Sequence, residues 1–222
     1  MLTFAPTKFS FMNKTTFITA TIAAATLSLT SCGGGEKTEE TAAPITYNLD
    51  ADASSLKWKG DYADGSHSHD GTVKFSEATF VFEGDMFKSG EAKVDLKTID
   101  SELDANSGET QLLEHLNSDK FLNGMAHPVV MVTVKAIQDD NVTATFSIGG
   151  KKLDATIPAN VKVTDKKATI KGKFDLDLTA LDLPGFKLDP AMEAEAAKQG
   201  KKDQYVKPIV HFDMDLVMNA AK

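Results

Sequence analysis

A chain of 222 residues with 41% hydrophobic and 25% charged side chains suits one globular domain with a sizeable core, plus a tail. Acidic residues outnumber basic ones by 32 to 24, and every basic residue is Lys, which argues against a nucleic-acid partner. It also removes the planar guanidinium fork that grips carboxylates and phosphates, so an anionic head group would depend on Lys or backbone N–H groups.

The N-terminal stretch accounts for the single cysteine. Lys14 precedes Thr15 to Leu29, an uncharged run of apolar and small residues that is too short for a comfortable membrane span. It ends in Leu29-Thr30-Ser31-Cys32, which resembles the bacterial lipobox, where small residues precede a cysteine that is acylated and then exposed by cleavage. Residues 1–31 are therefore expected to be a signal peptide, with Met12 an alternative start, and Cys32 the lipidation site. The competing reading is a buried free cysteine after a chance apolar run. Acyl chains contribute about 0.8 kcal/mol per buried CH₂, and two of them suffice for stable anchoring. Residues 32–44, with Gly33 to Ala43 reading GGGEKTEETAA, form a flexible polar tether. Asp is absent after Cys32, and resemblance to lipoprotein sorting then points to the outer membrane of a bacterial envelope, with the face left open.

The folded domain is expected over residues 45–222. Tyr47 to Asp50 and Leu56 to Gly60 read as two short strands around a turn, and Gly65 to His69 as a further turn. Thr72 to Phe75 and Ala78 to Phe82 alternate like a hairpin, offering Phe75, Phe80 and Phe82 to one interior. Ala92, Val94 and Leu96 share a face opposite Lys93, Asp95 and Lys97. Val130 to Val134 and Val142 to Ile148 continue the alternation, and Gly149-Gly150 supplies a two-residue turn into a strand over Leu153 to Val163. Phe174, Leu176 and Leu178 oppose Asp175 and Asp177. Phe212, Met214 and Leu216 oppose His211, Asp213 and Asp215. Eight or more strands, each with one apolar face, predict an all-β antiparallel sheet closed on itself.

Two segments carry helical signals. In Leu112 to Pro128, a helix capped by Ser107 would present Leu112, Leu113 and Leu116 on one side, and Ser118 would cap a further turn holding Phe121 and Leu122. This segment reads as a lid over one barrel end. The second helix spans Ala191 to Gln199, with Asp189 as cap, Pro190 at the first helical position and Gly200 at the stop.

Taken in order, Leu56-Lys57-Trp58-Lys59-Gly60, His69-Asp70-Gly71-Thr72-Val73, Gly90 through Val94-Asp95-Leu96 to Ile99, His115-Leu116-x-Ser118-x-x-Phe121, Pro128 and Phe146 to Lys151 resemble the YceI-like family, from Tyr47 to Asn219. That resemblance implies a single lipocalin-like barrel whose apolar interior holds a polyisoprenoid or related amphiphile in the bacterial envelope, without general enzymatic activity or a cofactor. On this reading the ligand-contacting candidates of cavity and lid are Trp58, Phe75, Phe80, Phe82, Leu96, Leu112, Leu116, Phe121, Phe146, Phe174 and Phe212. The partners are then the lipid itself and, through acylated Cys32, a membrane. Association as a homodimer is left open.

Residue chemistry keeps two other readings in view. Thirteen Phe and eight Met suit a barrel packed solid as a structural surface domain equally well. His67 and His69, two apart on a strand, would project from one face as a metal pair needs, and His115, His127 or an Asp could complete the site of a metal-dependent envelope enzyme. The bland reading places them in a solvated turn, with His115 ending a helix and His211 facing out from its strand. Neither a Gly-x-Ser-x-Gly elbow nor a phosphate loop is present, so no catalysis is expected.

Overall fold

Side chains that alternate with period two bury one face of a strand, and the chain does this repeatedly around one interior. The structure, a computed structural model, describes residues 42–63, 65, 67–102, 109–187, 190–200 and 206–222. The expected leader, Cys32, most of the tether, and the expected caps Ser107 and Asp189 lie outside these residues. The described strands are β1 (Ile45–Leu49), β2 (Ser55–Tyr62), β3 (Ser68–Glu83), β4 (Met86–Asp95), β5 (Val129–Gln138), β6 (Asn141–Ile148), β7 (Lys151–Pro158), β8 (Asn160–Val163), β9 (Lys167–Asp177) and β10 (Val206–Ala220). Among the described residues two α-helices accompany them, α1 (Glu109–Asn117) and α2 (Pro190–Lys198), with short 3₁₀ turns at Leu96–Thr98, Thr179–Leu181 and Pro184–Phe186. Pro190 opens α2 as expected, and Gly200 follows it at φ +71°.

All the strand pairings are antiparallel, in the order β7-β6-β5-β4-β3-β1-β10-β9-β8, with β2 also lying between β3 and β10. β1 and β2 are two lengths of one broken strand. Tyr47 sits between Phe80 and Ala220, whereas Trp58 sits between Gly71 and Phe212. The break, Asp50 to Ser54, leaves Val217 of β10, paired with Thr169 of β9 on its other side, without a strand neighbour on this one. Ser54 stands in, its hydroxyl accepting from the Val217 N–H at 2.9 Å and donating to the Asp50 carbonyl at 2.8 Å.

The barrel closes where β9 passes the end of β7. Gly172 is needed there, because a Cβ would collide with the Pro158 carbonyl oxygen and press on Ala159. The registers give the barrel two distinct poles. One carries the start of β1 and the turns at Gly84-Asp85, Asp139-Asp140 and Thr164–Lys167. The other carries the β2–β3 connection, α1, the Gly149-Gly150 turn and the chain between β9 and β10. Asp139, Asp140, Gly149 and Gly150 all have positive φ, the backbone that tight two-residue hairpins require.

Two strand expectations are corrected. Thr72 to Phe82 forms one continuous strand within β3 rather than a hairpin. Its buried positions switch from odd (Val73, Phe75) to even (Ala78, Phe80, Phe82), and the cause is a bulge opposite β4 between Phe75 and Glu77. One extra residue changes parity without reversing the chain. Leu153 to Val163 is two strands, not one. After Pro158 the Ala159 N–H bonds to the Asp140 carbonyl, and β8 turns away to pair with β9.

Replacing Gly172 with Ala should destabilise the fold by about 1–3 kcal/mol through overpacking at the closure. Urea unfolding midpoints measure this, and an unchanged midpoint would mean that β7 and β9 have room to separate.

Candidate functional site

Inside the barrel lies a cavity of about 170 Å³ whose lining is apolar throughout. Trp58 of β2, Phe75 and Phe80 of β3, Leu96, Phe146 of β6, Phe174 of β9 and Phe212 of β10 form its walls, together with Val132, Ala144, Ile170 and Leu216. Phe174 and Phe212 are cross-strand neighbours and stack at 5.3 Å. The one polar atom on these named wall side chains, the Trp58 indole nitrogen, donates to the Asp100 carbonyl at 3.1 Å. Segment 99–102 reaches that position by pairing with β3, through Asp100 N–H to the Thr72 carbonyl at 2.8 Å and Glu102 N–H to the Asp70 carbonyl at 3.0 Å. Gly71 permits the approach, since a Cβ would overlap the Asp100 carbonyl.

The helical segment covers one pole. Leu116 of α1 and Leu122 reach the cavity, and the Leu122 N–H bonds to the Leu116 carbonyl at 2.9 Å. Phe121 packs edge-on against Phe186 at 5.2 Å, and the Gly185 N–H bonds to the Lys120 carbonyl at 2.6 Å. Lys151 holds the same region from the barrel rim, its ammonium donating to the carbonyls of Leu181 at 2.6 Å and Asp182 at 3.0 Å. At the opposite pole the interior is filled by Tyr47, Phe82 and Phe87 beneath Phe80.

A family model described as the YceI-like domain matches residues 47–217. The chain belongs to the YceI-like family. Solved structures share the YceI-like fold at low identity. BcnA of Burkholderia cenocepacia is 18% identical with a TM-score of 0.55, over 76% of this chain and 98% of that one. A polyisoprenoid binding domain from Saccharophagus degradans, implicated in plant cell wall breakdown, is 17% identical with a TM-score of 0.51, over 80% and 99%. A search among curated proteins gave no match.

Within this YceI-like barrel the residues singled out from sequence divide into groups. Trp58, Phe75, Phe80, Leu96, Leu116, Phe146, Phe174 and Phe212 come together around the cavity. Phe82 lies behind Phe80, stacked on it at 6.4 Å. Leu112 is half-buried against the core without lining the cavity, and Phe121, which does not line it either, packs on Phe186, which does. Ser118 does not cap a second turn with its side chain. Its hydroxyl reaches back to the His115 carbonyl at 2.7 Å, joined by its own N–H at 3.0 Å, so His115 anchors the lid through backbone while its ring is exposed. Cavity residues that sequence reasoning did not select include Ile99, Leu122, Phe186, Val206 and Val210. Of these, Leu122 is expected on the lid beside Phe121, and Val206 and Val210 share strand parity with Phe212.

The histidines do not assemble a metal centre. Among the described residues no group of three His, Cys, Asp or Glu has the arrangement a metal ion needs. His67 and His69 lie edge-on to the Tyr62 ring at 5.9 and 5.8 Å, and the exposed His127 ring lies over Gly150. His211 does face outward and bridges two strands, with Nδ1 2.5 Å from Asp175 and Nε2 3.2 Å from Asp61. Desolvation pushes the Asp61 carboxyl up, but Lys59 and then His211 outweigh it and hold the group below its usual 3.8.

His69 has its Nδ1 buried without a partner. Burial first, and His67 second, lower its pKa from 6.5, against a smaller opposing effect of Asp70. Because the folded chain resists protonation there, the unfolded chain binds the proton first as pH falls, and stability drops. His69→Gln should therefore lose less stability than the unsubstituted chain between neutral pH and about pH 5. Denaturation midpoints at the two pH values decide this; equal losses would remove His69 as the cause.

Proposed function

We propose that this YceI-like domain binds the apolar part of a polyisoprenoid or similar long amphiphile inside its barrel, and acts as a carrier at the bacterial envelope. The observation that carries this reading is the wholly apolar cavity under a docked lid. A concave site lined by hydrocarbon takes its affinity from area removed from water, at about 0.8 kcal/mol per buried CH₂. An isoprene unit of about five carbons would then contribute up to roughly 3–4 kcal/mol gross, enough to offset a substantial part of the cost of association. The polyisoprenoid-binding relative supports the same ligand class.

The chemistry of the interior favours carriage over catalysis. General acid–base or nucleophilic chemistry needs a polar group within hydrogen-bond reach of the substrate. The cavity-lining side chains offer only the Trp58 indole, and its N–H is taken by Asp100. Membrane attachment through acylated Cys32 rests on the lipobox-like sequence Leu29-Thr30-Ser31-Cys32, and the outer membrane as its destination on the absence of Asp directly after Cys32.

The chain purified from a bacterial envelope fraction should release an apolar, isoprenoid-type molecule on organic extraction, identifiable by mass spectrometry. Repeated extraction without lipid, together with no uptake of added polyprenyl compounds, would rule the carrier reading out. The same preparation should yield an N-terminal peptide that begins at an acylated Cys32; an uncleaved leader would remove the anchor.

Leu116→Ala, which trims the lid's contribution to the cavity, should speed ligand dissociation by about tenfold or more, from the loss of roughly 1.5 kcal/mol of apolar contact. The accompanying shift in thermal unfolding should be smaller than for a wall residue such as Phe146. Unchanged dissociation would show that ligand leaves by another route.

A further inference from the structure

The cavity has a floor, and the floor sets how much of a ligand it can take. Phe80 borders the cavity, and the space behind its ring is occupied. Phe82 stacks on it at 6.4 Å and Phe87 meets it edge-on at 6.3 Å. Tyr47 packs against Phe82 at 5.9 Å and ties its hydroxyl to the Thr164 carbonyl at 2.8 Å. Tyr47, Phe80 and Phe82 are each only 1% exposed. The Phe80 ring lies over Gly90, its cross-strand partner on β4, in the space that a Cβ at that position would invade. The space behind the ring is therefore filled, and the cavity ends at the face of the ring that borders it.

We infer that the barrel takes its ligand tail-first from the lid pole and buries only about the first one to two isoprene units, with Phe80 as the stop. This rests on the binding reading above and narrows it. The size follows from volume: a cavity of about 150 Å³ accommodates a benzene ring, and pockets that enclose whole drug-sized ligands run to about 300–1,000 Å³, whereas this one measures about 170 Å³. The direction follows from polarity. A head group pushed to the floor would lose its hydration with nothing to bond to, so it remains at the lid with the rest of any longer chain.

The test is a chain-length series. Prenyl alcohols of one, two, three and four isoprene units are titrated calorimetrically into the full-length chain, into Phe80→Leu, and into Ala144→Val. Ala144 is in the same cross-strand row as Phe80, through Gly90 and Val134, and lines the cavity, so a larger side chain there makes the site shallower. Affinity should rise steeply from one unit to two, by roughly fourfold for each methylene buried, and then change less than about twofold from three units to four. Phe80→Leu should move the plateau to a longer alcohol and Ala144→Val to a shorter one. If Phe80→Leu does not fold, Ala144→Val still tests the stop from above. Affinity that keeps climbing through four units, or a plateau that the folded variants do not move, would overturn the floor while leaving ligand binding intact. Absence of binding by every alcohol would overturn the carrier reading itself.

Discussion

A buried indole N–H has to find an acceptor, and the way Trp58 finds one organises one end of this barrel. Its partner is the Asp100 carbonyl at 3.1 Å, which belongs to no regular strand. To put that carbonyl in place, segment 99–102 must run along β3, and it can do so only because Gly71 presents bare backbone. Losing the bond would leave a polar group unsatisfied against hydrocarbon, at a cost of about 1–3 kcal/mol. The interaction thus keeps the wall apolar on its inner side and fixes where the chain sets out toward α1.

Much of the wall was legible in the sequence because strand burial has a rigid period. Val142, Ala144, Phe146 and Ile148 could only share a face, and they do, all buried in β6. The same rule misled at β3, where a bulge shifted parity and imitated a turn. It also ran β7 into β8, because β-type residues continue across Pro158 while the pairing partner changes. Helical patterning placed Leu116 over the cavity but could not separate it from Phe121, since both are apolar lid residues and only tertiary docking onto Phe186 distinguishes them. Leu122 and Ile99 lie outside the helices and strands and Phe186 ends a single 3₁₀ turn, all too short for a periodicity to be read.

The outer face of β2, β10 and β9 follows a different logic. Lys57, Asp213 and Lys173 form one cross-strand row, and Lys59, His211 and Asp175 the next. Lys173 meets Asp213 at 2.9 Å and Lys171 meets Asp215 at 2.5 Å. Exposed pairs of this kind contribute little stability, about 0–1 kcal/mol each. Alternating sign does keep like charges from standing directly opposite on neighbouring strands, which would be unfavourable. An acidic, arginine-free chain can therefore carry many charges on a sheet surface without splitting it. His211 was assigned outward from parity alone; its bridge between Asp175 and Asp61 depends on strand order, which no single-strand pattern contains.

The two ends of the interior differ in how firmly they are held. α1 buries none of its residues fully, and the chain that follows it is held through close backbone approaches at Gly149 and Gly185. Regions with few buried apolar contacts are those that open at least cost, whereas the aromatic cluster around Tyr47 and Phe82 is among the most deeply buried parts of the chain. Such a domain is a cup and not a pipe. Were it to carry a ligand as proposed, that ligand would not pass through from one side to the other; it would back out by the opening it entered, head group leading, so that a recipient would meet the polar end first and each cup would have to empty before it was refilled.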